Sequence, residues 1–131
     1  INRTWETADW SPILFDAEDN FPRSVAALRR ADVVLINPVR DGLNLVAKEA
    51  ALVNERDAVL CLSRESGVWD ELGESAIGLN PFDLTSTAEA LGQALDLGAS
   101  ERRSRAERLR SLARARTPDD WLRDQLAAAI S

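Results

Sequence analysis

The chain has 131 residues, 45% of them hydrophobic, and a formal net charge of −6, values that fit a single folded domain. The acidic balance argues against a general nucleic-acid-binding protein, because phosphate contacts require an excess of lysine and arginine on the binding surface. Histidine is absent, which excludes the commonest general base and the commonest metal ligand. Any chemistry of the chain therefore depends on carboxylates, arginines and backbone groups.

The cysteine content and the apolar segments indicate the compartment. Cys61 is the only cysteine, so no intramolecular disulfide can form, and we expect a cytoplasmic protein. No apolar run has the length needed to cross a bilayer, and the first residues lack the charged and apolar regions of a signal peptide. Because the chain opens on Ile1 rather than Met, we expect it to be part of a longer protein.

Four short apolar runs, rich in β-branched residues, predict β-strands. In chain order they cover residues 12–15, 33–36, 58–62 and, more weakly, 76–79. The runs do not alternate apolar and polar residues, and a stretch with helical spacing follows each one. This order predicts an α/β fold with a Rossmann-like parallel sheet covered by helices on both faces. Such sheets bind ligands at the carboxyl ends of their strands.

The predicted helices between the strands have recognisable starts. Asn20 is expected to cap the first helix, with Pro22 in its first turn and with Val25 and Leu28 buried. The second helix is expected to begin near Asn44. Its predicted buried side consists of Leu45, Val46 and Leu52.

Two further helices complete the strand–helix alternation. A short helix is expected to end at Gly73, and a longer one to cover residues 86–97. The buried residues expected in the longer helix are Ala90, Leu91 and Ala94.

The last third of the chain contains only helix signals. Ser100 and Thr117 each precede acidic residues, and Pro118 follows the second of them, a pattern typical of helix starts. We expect two closing helices and no further strand. The chain is thus predicted to be one partial domain, with a sheet portion (1–98) followed by C-terminal helices (99–131).

The arginine-rich run 102–116 could be a nucleic-acid-binding patch or one side of a helix. Small and apolar residues recur in it at helical spacing, and aromatic residues are absent. This pattern favours an amphipathic helix with a solvated arginine face. The residues expected to be buried are Ala106, Leu109 and Ala113.

The segment NPVRDGLNLVAKE, residues 37–49, reads as a strand end, a tight turn and a helix start. Gly42 permits a positive φ or a close backbone approach, and Asn44 is a good helix cap. The amides of Leu43, Asn44 and Leu45 would then face a ligand above the strand, where a helix N-terminus favours phosphate or hydroxyl groups. Glu49 lies one helical turn after Leu45 and could accept two hydrogen bonds from a ribose diol.

The turn chemistry alone also fits a purely structural role. An Asn-capped helix after an Asp-Gly turn occurs in many α/β proteins. Lys48 and Glu49 could form a solvated helix face, and Arg40 could simply balance the charge of Asp41.

The string RDGLNLVAKE, residues 40–49, resembles the donor-site signature of the trehalose-6-phosphate synthase family, retaining glycosyltransferases of the two-domain GT-B fold. Leu43 replaces a Met and is the one difference in the string. Upstream, ADVVLINPVRDG is similar to the strand before that signature, with Asn37 where Thr or Ser is more usual. Downstream, the matching positions are Leu62, Ser63, Gly67, Glu71, Leu72, Asn80, Pro81, Phe82 and Asp83, whereas Arg64 stands where the family often has Glu.

The resemblance implies a donor-binding site. It implies that Asp41 and the backbone of Gly42, Leu43 and Asn44 hold the hydroxyls of the donor sugar. The Leu45 amide would meet the diphosphate, and Glu49 would bind the ribose. For Lys48 the resemblance implies no role, so packing or a surface ion pair is expected.

The resemblance also implies the reaction. Glucose would pass with retention from UDP-glucose or GDP-glucose to glucose 6-phosphate, giving trehalose 6-phosphate, without a metal or cofactor. The acceptor site and the basic pair at the leaving diphosphate would belong to the missing N-terminal domain and to earlier residues. The fragment would therefore contain no catalytic residue and be inactive alone. We expect neither nucleic acid nor membrane as a partner, and a homo-oligomer is compatible with the pattern.

Two alternatives stay open. A related glycosyltransferase or pseudo-glycosyltransferase could use the same donor site with another acceptor. A non-catalytic nucleotide-sugar-binding module could have kept the fold and lost the reaction. The intact Asp41, Gly42, Asn44 and Glu49 argue against decay of the donor site.

Overall fold

Three parallel β-strands form the centre of the structure, a computed structural model that describes residues 1–130. Strands β1 (Val33–Ile36), β2 (Val59–Ser63) and β3 (Ile77–Leu79) lie side by side in that order. The helices are α1 (Asn2–Trp5), α2 (Phe21–Arg30), α3 (Leu45–Val53), α4 (Trp69–Leu72), α5 (Leu84–Asp96), α6 (Ala99–Ala115) and α7 (Pro118–Ile130). Ser131, part of the predicted closing segment, lies outside the described residues.

Side chains of the strands alternate between the two faces of the sheet. One face carries Val34, Ile36, Leu60 and Leu62, which pack under α3, α4 and α6. The other face carries Val59, Cys61, Ile77 and Leu79, which pack under α5. Helices therefore cover both faces, and the predicted α/β fold with a parallel sheet is confirmed.

Most predicted elements occur where the sequence places them. Asn20 caps α2 by accepting a hydrogen bond from the Arg23 amide at 3.1 Å, and Val25 and Leu28 are half-buried. Helix α4 ends at Leu72 with Gly73 as its C-cap, and the chain continues through a 3-10 turn, Gly73–Ser75. Five of the predicted core residues of α5 and α6 are buried, namely Ala90, Ala94, Ala106, Leu109 and Ala113. The sixth, Leu91, is half-buried.

The two closing helices are confirmed, with one difference at a start. Thr117 precedes α7 and accepts a hydrogen bond from the Asp120 amide at 3.3 Å, as expected of a cap. Helix α6, however, begins at Ala99 after Gly98, so Ser100 lies inside its first turn. No helix within residues 1–130 is long and apolar enough to cross a membrane.

The strand predicted over residues 12–15 does not form. The amide and carbonyl of Ile13 bind the side chain of Asn2, at 3.0 and 2.9 Å, instead of a neighbouring strand. Leu14 and Phe15 are 85% and 88% exposed. An apolar run becomes a strand only where its backbone pairs with a sheet edge. The outer sides of β1 and β3 are unpaired, but residues 12–15 lie along neither of them.

The predicted buried side of α3 is also wrong. Leu45, Val46 and Leu52 are 57%, 50% and 41% exposed, whereas Ala47 and Ala50 face the core. Apolar residues surround most of this helix, so periodicity could not identify its inner side. The alanines allow α3 to lie close to the sheet, and the larger side chains are left outside.

One arginine joins α6 to the amino ends of β1 and β2. Arg102 donates to the carbonyl oxygens of Asp32, Arg56 and Asp57, and each of these hydrogen bonds is 3.3 Å long. Arg56 donates to the Asp32 carboxylate at 3.1 Å, and this hydrogen bond lowers the pKa of Asp32. Because the strands are parallel, this cluster lies at the opposite end of the sheet from the predicted site.

Candidate functional site

The loop between β1 and α3 lies at the carboxyl end of β1, where the sequence predicts the site. Asn44 adopts a left-handed backbone conformation with φ of 51° and ψ of 70°, which Asn tolerates better than most residues. Its side-chain oxygen accepts a hydrogen bond from the Ala47 amide at 3.1 Å. Its side-chain nitrogen donates to the Asp41 carboxylate at 2.5 Å. Asn44 therefore caps α3, as predicted, and also orients Asp41.

The loop that follows β2 closes against this turn at Gly67. The Gly67 amide donates to the other Asp41 carboxylate oxygen at 2.9 Å. A Cβ atom at position 67 would lie 2.1 Å from the Gly42 carbonyl oxygen, so only glycine fits. Each oxygen of Asp41 thus binds one protein donor and keeps lone-pair capacity for a ligand hydroxyl.

Gly42 does not have the role that its sequence context suggests. None of the described glycines has a positive φ, and a Cβ atom at position 42 would meet nothing within 4 Å. The positive φ occurs at Asn44, and the close backbone approach is needed at Gly67. The expectation that Gly42 needs a positive φ or lacks space for a side chain was therefore wrong, although both features occur at other residues of the site.

Three consecutive amides of the loop make no hydrogen bond within the described part of the chain, although the Gly67 backbone packs beside the first of them. Within residues 1–130 no acceptor is recorded for the amides of Leu43, Asn44 and Leu45. The first amides of a helix have no partner in their own helix and carry a partial positive charge. The N-terminus of α3 is therefore suited to an anion or to sugar hydroxyls.

Glu49 is a half-buried carboxylate one turn along α3 from Leu45. The described part of the chain provides it with no hydrogen-bond or ion-pair partner. It lies between two clefts of about 410 and 400 Å³, the first bordered by β1 and α2 and the second by α6 and α7. An acceptor without a protein partner at a cleft is placed to bind ligand hydroxyls.

Lys48, the only lysine of the chain, points to a different partner. Its ammonium lies 2.6 Å from the Glu71 carboxylate on α4. The two side chains are 15% and 25% exposed, so the pair is partly shielded from water. The expected ion pair is confirmed, and the alternative of a fully solvated Lys48–Glu49 face does not hold.

The structure brings the predicted site residues together in one short segment. Asp41, Gly42, Leu43, Asn44 and Leu45 form the turn and the helix start, and Glu49 follows one turn later. Sequence reasoning missed the structural roles of Gly67 and Glu71. Their only signal was a glycine and an acidic residue in matched positions after a predicted strand, which does not reveal a contact with a segment 23–26 residues earlier.

A parallel α/β sheet whose carboxyl edge presents an open helix N-terminus has the architecture of nucleotide-binding proteins. Within that class the chain belongs to glycosyltransferase family 20, whose family model matches residues 1–130. The match confirms the resemblance to the trehalose-6-phosphate synthase family.

Two relatives show how the chain compares with characterised members. It is 41% identical over 114 residues to validamine 7-phosphate valienyltransferase of Streptomyces hygroscopicus subsp. jinggangensis, covering 87% of this chain and 23% of the relative. It is also 41% identical over 113 residues to trehalose-6-phosphate synthase of Sodalis glossinidius, covering 83% of this chain and 24% of the relative.

A solved structure supports the fold. The UDP-forming α,α-trehalose-phosphate synthase of Burkholderia xenovorans, in complex with glucose 6-phosphate, superimposes with a TM-score of 0.81 at 35% identity. The superposition covers 94% of this chain and 28% of the Burkholderia chain. The chain therefore spans about a quarter of the length of the proteins it matches.

Proposed function

We propose that the chain is the donor-binding part of a retaining glycosyltransferase that transfers glucose from UDP-glucose to glucose 6-phosphate, giving trehalose 6-phosphate. The observation that supports it most directly is the helix start at Leu45, where three amides have no acceptor among the described residues and the Glu49 carboxylate lies one turn away. Membership of glycosyltransferase family 20 and the similarity to a UDP-forming synthase support this assignment.

Each part of the donor has a chemically matched group in the proposal. The diphosphate lies at the Leu45 amide, where the partial charge of the helix N-terminus favours an anion. Glu49 accepts hydrogen bonds from the ribose diol. Asp41 and the backbone of Gly42, Leu43 and Asn44 bind the hydroxyls of the glucose.

The contribution of these residues to the reaction is positioning. They hold the donor so that its anomeric carbon meets the acceptor, and the helix start offsets charge that develops on the leaving UDP. The acceptor phosphate site and further basic groups are assigned to other parts of the protein. The proposal includes no metal or cofactor, and a cytoplasmic location fits the lone, buried Cys61 thiol.

The direct test is turnover by the intact protein that contains this chain. With UDP-glucose and glucose 6-phosphate it should release UDP and form trehalose 6-phosphate, detected by mass spectrometry. Glu49→Gln should lower kcat/KM for the donor about 10- to 100-fold, the loss expected for a charged hydrogen-bond acceptor.

The matched control is Glu74→Gln. Glu74 is 80% exposed and pairs only with Arg108 within the described residues, away from the proposed site. This variant should keep the wild-type kcat/KM. An intact protein that binds UDP-glucose but transfers glucose to no sugar phosphate would contradict the assigned reaction and support the non-catalytic binding module.

A second candidate is transfer of a valienyl group to validamine 7-phosphate. It is favoured by the 41% identity to a valienyltransferase over 87% of this chain. The same turnover assay separates the two candidates when glucose 6-phosphate and validamine 7-phosphate are compared as acceptors, each with UDP-glucose and with a nucleotide-activated valienol. If product forms only from validamine 7-phosphate and the nucleotide-activated valienol, the valienyltransferase assignment replaces the synthase proposal.

A further inference from the structure

Helix α3 is seated on the sheet by small side chains. Only Ala47 and Ala50 of this helix are buried, whereas Leu45, Val46 and Leu52 are exposed. Alanines fill little volume and interlock weakly with their neighbours, so they do little to fix the rotation of a helix about its axis.

Asn54, the buried C-cap, anchors the far end of α3 by donating to the carbonyl oxygens of Leu28 and Ala31, at 2.7 and 2.9 Å. The rotation of the first turns, where the site lies, needs a contact of its own.

The Lys48–Glu71 ion pair supplies such a contact. It is the least exposed ion pair in the described part of the chain, and its charged atoms are 2.6 Å apart. Lys48 and Glu49 are neighbours on α3, about 100° apart around the helix axis at 3.6 residues per turn. A rotation that moved Lys48 away from Glu71 would therefore also move the Glu49 carboxylate.

Helix α4 is itself attached to the loop between β1 and α3. Glu71 lies on α4, and the loop before α4 contains Gly67, whose amide binds Asp41 at 2.9 Å. Helices α3 and α4 are thus joined at two places, Asp41 to Gly67 and Lys48 to Glu71. Glu71 also lies 4.0 Å from Arg116 near the end of α6, so its carboxylate faces two cations.

We propose that Lys48 and Glu71 form a positioning pair for the donor site, fixing the rotation of α3 so that its open amides and Glu49 bind one nucleoside diphosphate together. This inference rests on the proposed function, because it explains how the same site is held in place. Neither residue touches the ligand in this account. Both act through the orientation of α3.

The experiment is calorimetric titration of the intact protein with UDP. Lys48→Met keeps the aliphatic stem and removes the charge, and it should weaken UDP binding about tenfold; Glu71→Gln should do the same. Lys48→Arg keeps the charge and should restore affinity to within about threefold of wild type. The double variant Lys48→Met, Glu71→Gln should bind UDP no more weakly than the single variant with the lower affinity, because both substitutions remove the same interaction.

The control is Arg108→Met, which breaks the exposed Arg108–Glu74 pair, at 2.9 Å, without touching α3. It should bind UDP as tightly as wild type. UDP affinity of Lys48→Met within twofold of wild type, or additive losses in the double variant, would overturn the positioning role. Wild-type protein without UDP affinity would instead refute the proposed function, and this inference with it.

Discussion

At the scale of single residues, position 67 has no space for a methyl group. The Cβ atom of an alanine there would lie 2.1 and 2.4 Å from the Gly42 carbonyl atoms and 2.8 Å from the Leu43 nitrogen, all of them backbone atoms. We expect Gly67→Ala to lower the free energy of unfolding by about 1–3 kcal/mol, the usual cost of forcing atoms into a packed region. Urea unfolding monitored by circular dichroism measures this change.

A second glycine provides the control for that substitution. Gly92 lies on the exposed side of α5, and a Cβ atom there would meet nothing within 4 Å. Gly92→Ala should raise the free energy of unfolding by about 0.5–1 kcal/mol, since alanine is the better helix former. Equal stability of the Gly67→Ala variant and wild type would contradict the described contact between the two loops.

At the scale of elements, the start of α7 depends on one carboxylate. Asp120 accepts hydrogen bonds from the side chain and the amide of Thr117, at 2.7 and 3.0 Å. The Thr117 hydroxyl, followed by the Thr117 amide and Arg123, lowers the pKa of Asp120 from 3.8 to about 2. Because the pKa of Asp120 is lower in the folded state, its ionised carboxylate stabilises the start of α7 fully above pH 3.8. This stabilisation is lost as the pH falls through about 2.

Acid should therefore loosen α7 at its first turn. Between pH 4 and pH 2, the NMR amide shifts of residues 117–121 should move toward unfolded values, and Asp120→Asn should weaken this dependence. Asp119→Asn is the matched control, because within residues 1–130 no hydrogen bond to the Asp119 side chain is recorded. Identical titrations of all three proteins would refute the capping role.

Helix α3 illustrates what can be predicted for an element from sequence. Its start is encoded locally, because the Asn44 side chain binds an amide only three residues away. Its inner side is not encoded locally, since the choice between alanines and leucines depends on how closely the helix approaches the sheet. Sequence reasoning therefore predicted the start of α3 and chose the wrong buried residues.

At the scale of the whole molecule, Arg102 holds α6 against the amino ends of two strands. Its side chain is 23% exposed and donates to three carbonyl oxygens. Arg102→Ala would remove these three hydrogen bonds and leave the Arg56 and Asp57 carbonyl oxygens without a donor among the described residues, whereas the Asp32 oxygen keeps the Val59 amide. We expect the free energy of unfolding to fall by about 1–3 kcal/mol. Thermal or urea unfolding gives the value.

The neighbouring arginine distinguishes this contact from a simple charge effect. Arg103 is 72% exposed, and in the described chain its one ion pair, with Asp57, spans 3.7 Å. Arg103→Ala should change stability by less than about 0.5 kcal/mol. If both variants lost the same stability, net charge rather than the specific contacts of Arg102 would explain the result.

Across the whole molecule, features encoded by local sequence could be predicted, and contacts between distant segments could not. The three strands β1, β2 and β3 are predicted, to within one residue at each end, because buried parallel strands have apolar runs bounded by turns. Residues 12–15 have the same pattern but pair with neither outer strand of the sheet, and the backbone of Ile13 binds the Asn2 side chain instead. The loop between β1 and α3 was predicted from local turn and cap chemistry, whereas Gly67 contacts this loop and Glu71 contacts α3 in ways that only the folded chain defines.

The central claim is that Glu49 and the start of α3 bind a nucleoside diphosphate. The most direct measurement is calorimetric titration of the intact protein with UDP and with GDP, for wild type and for Glu49→Ala. We expect UDP to bind more tightly than GDP and the substitution to weaken UDP binding by about 1–3 kcal/mol, the cost of losing a charged hydrogen-bond acceptor. No heat with either nucleotide, or equal UDP affinity for wild type and variant, would contradict this assignment.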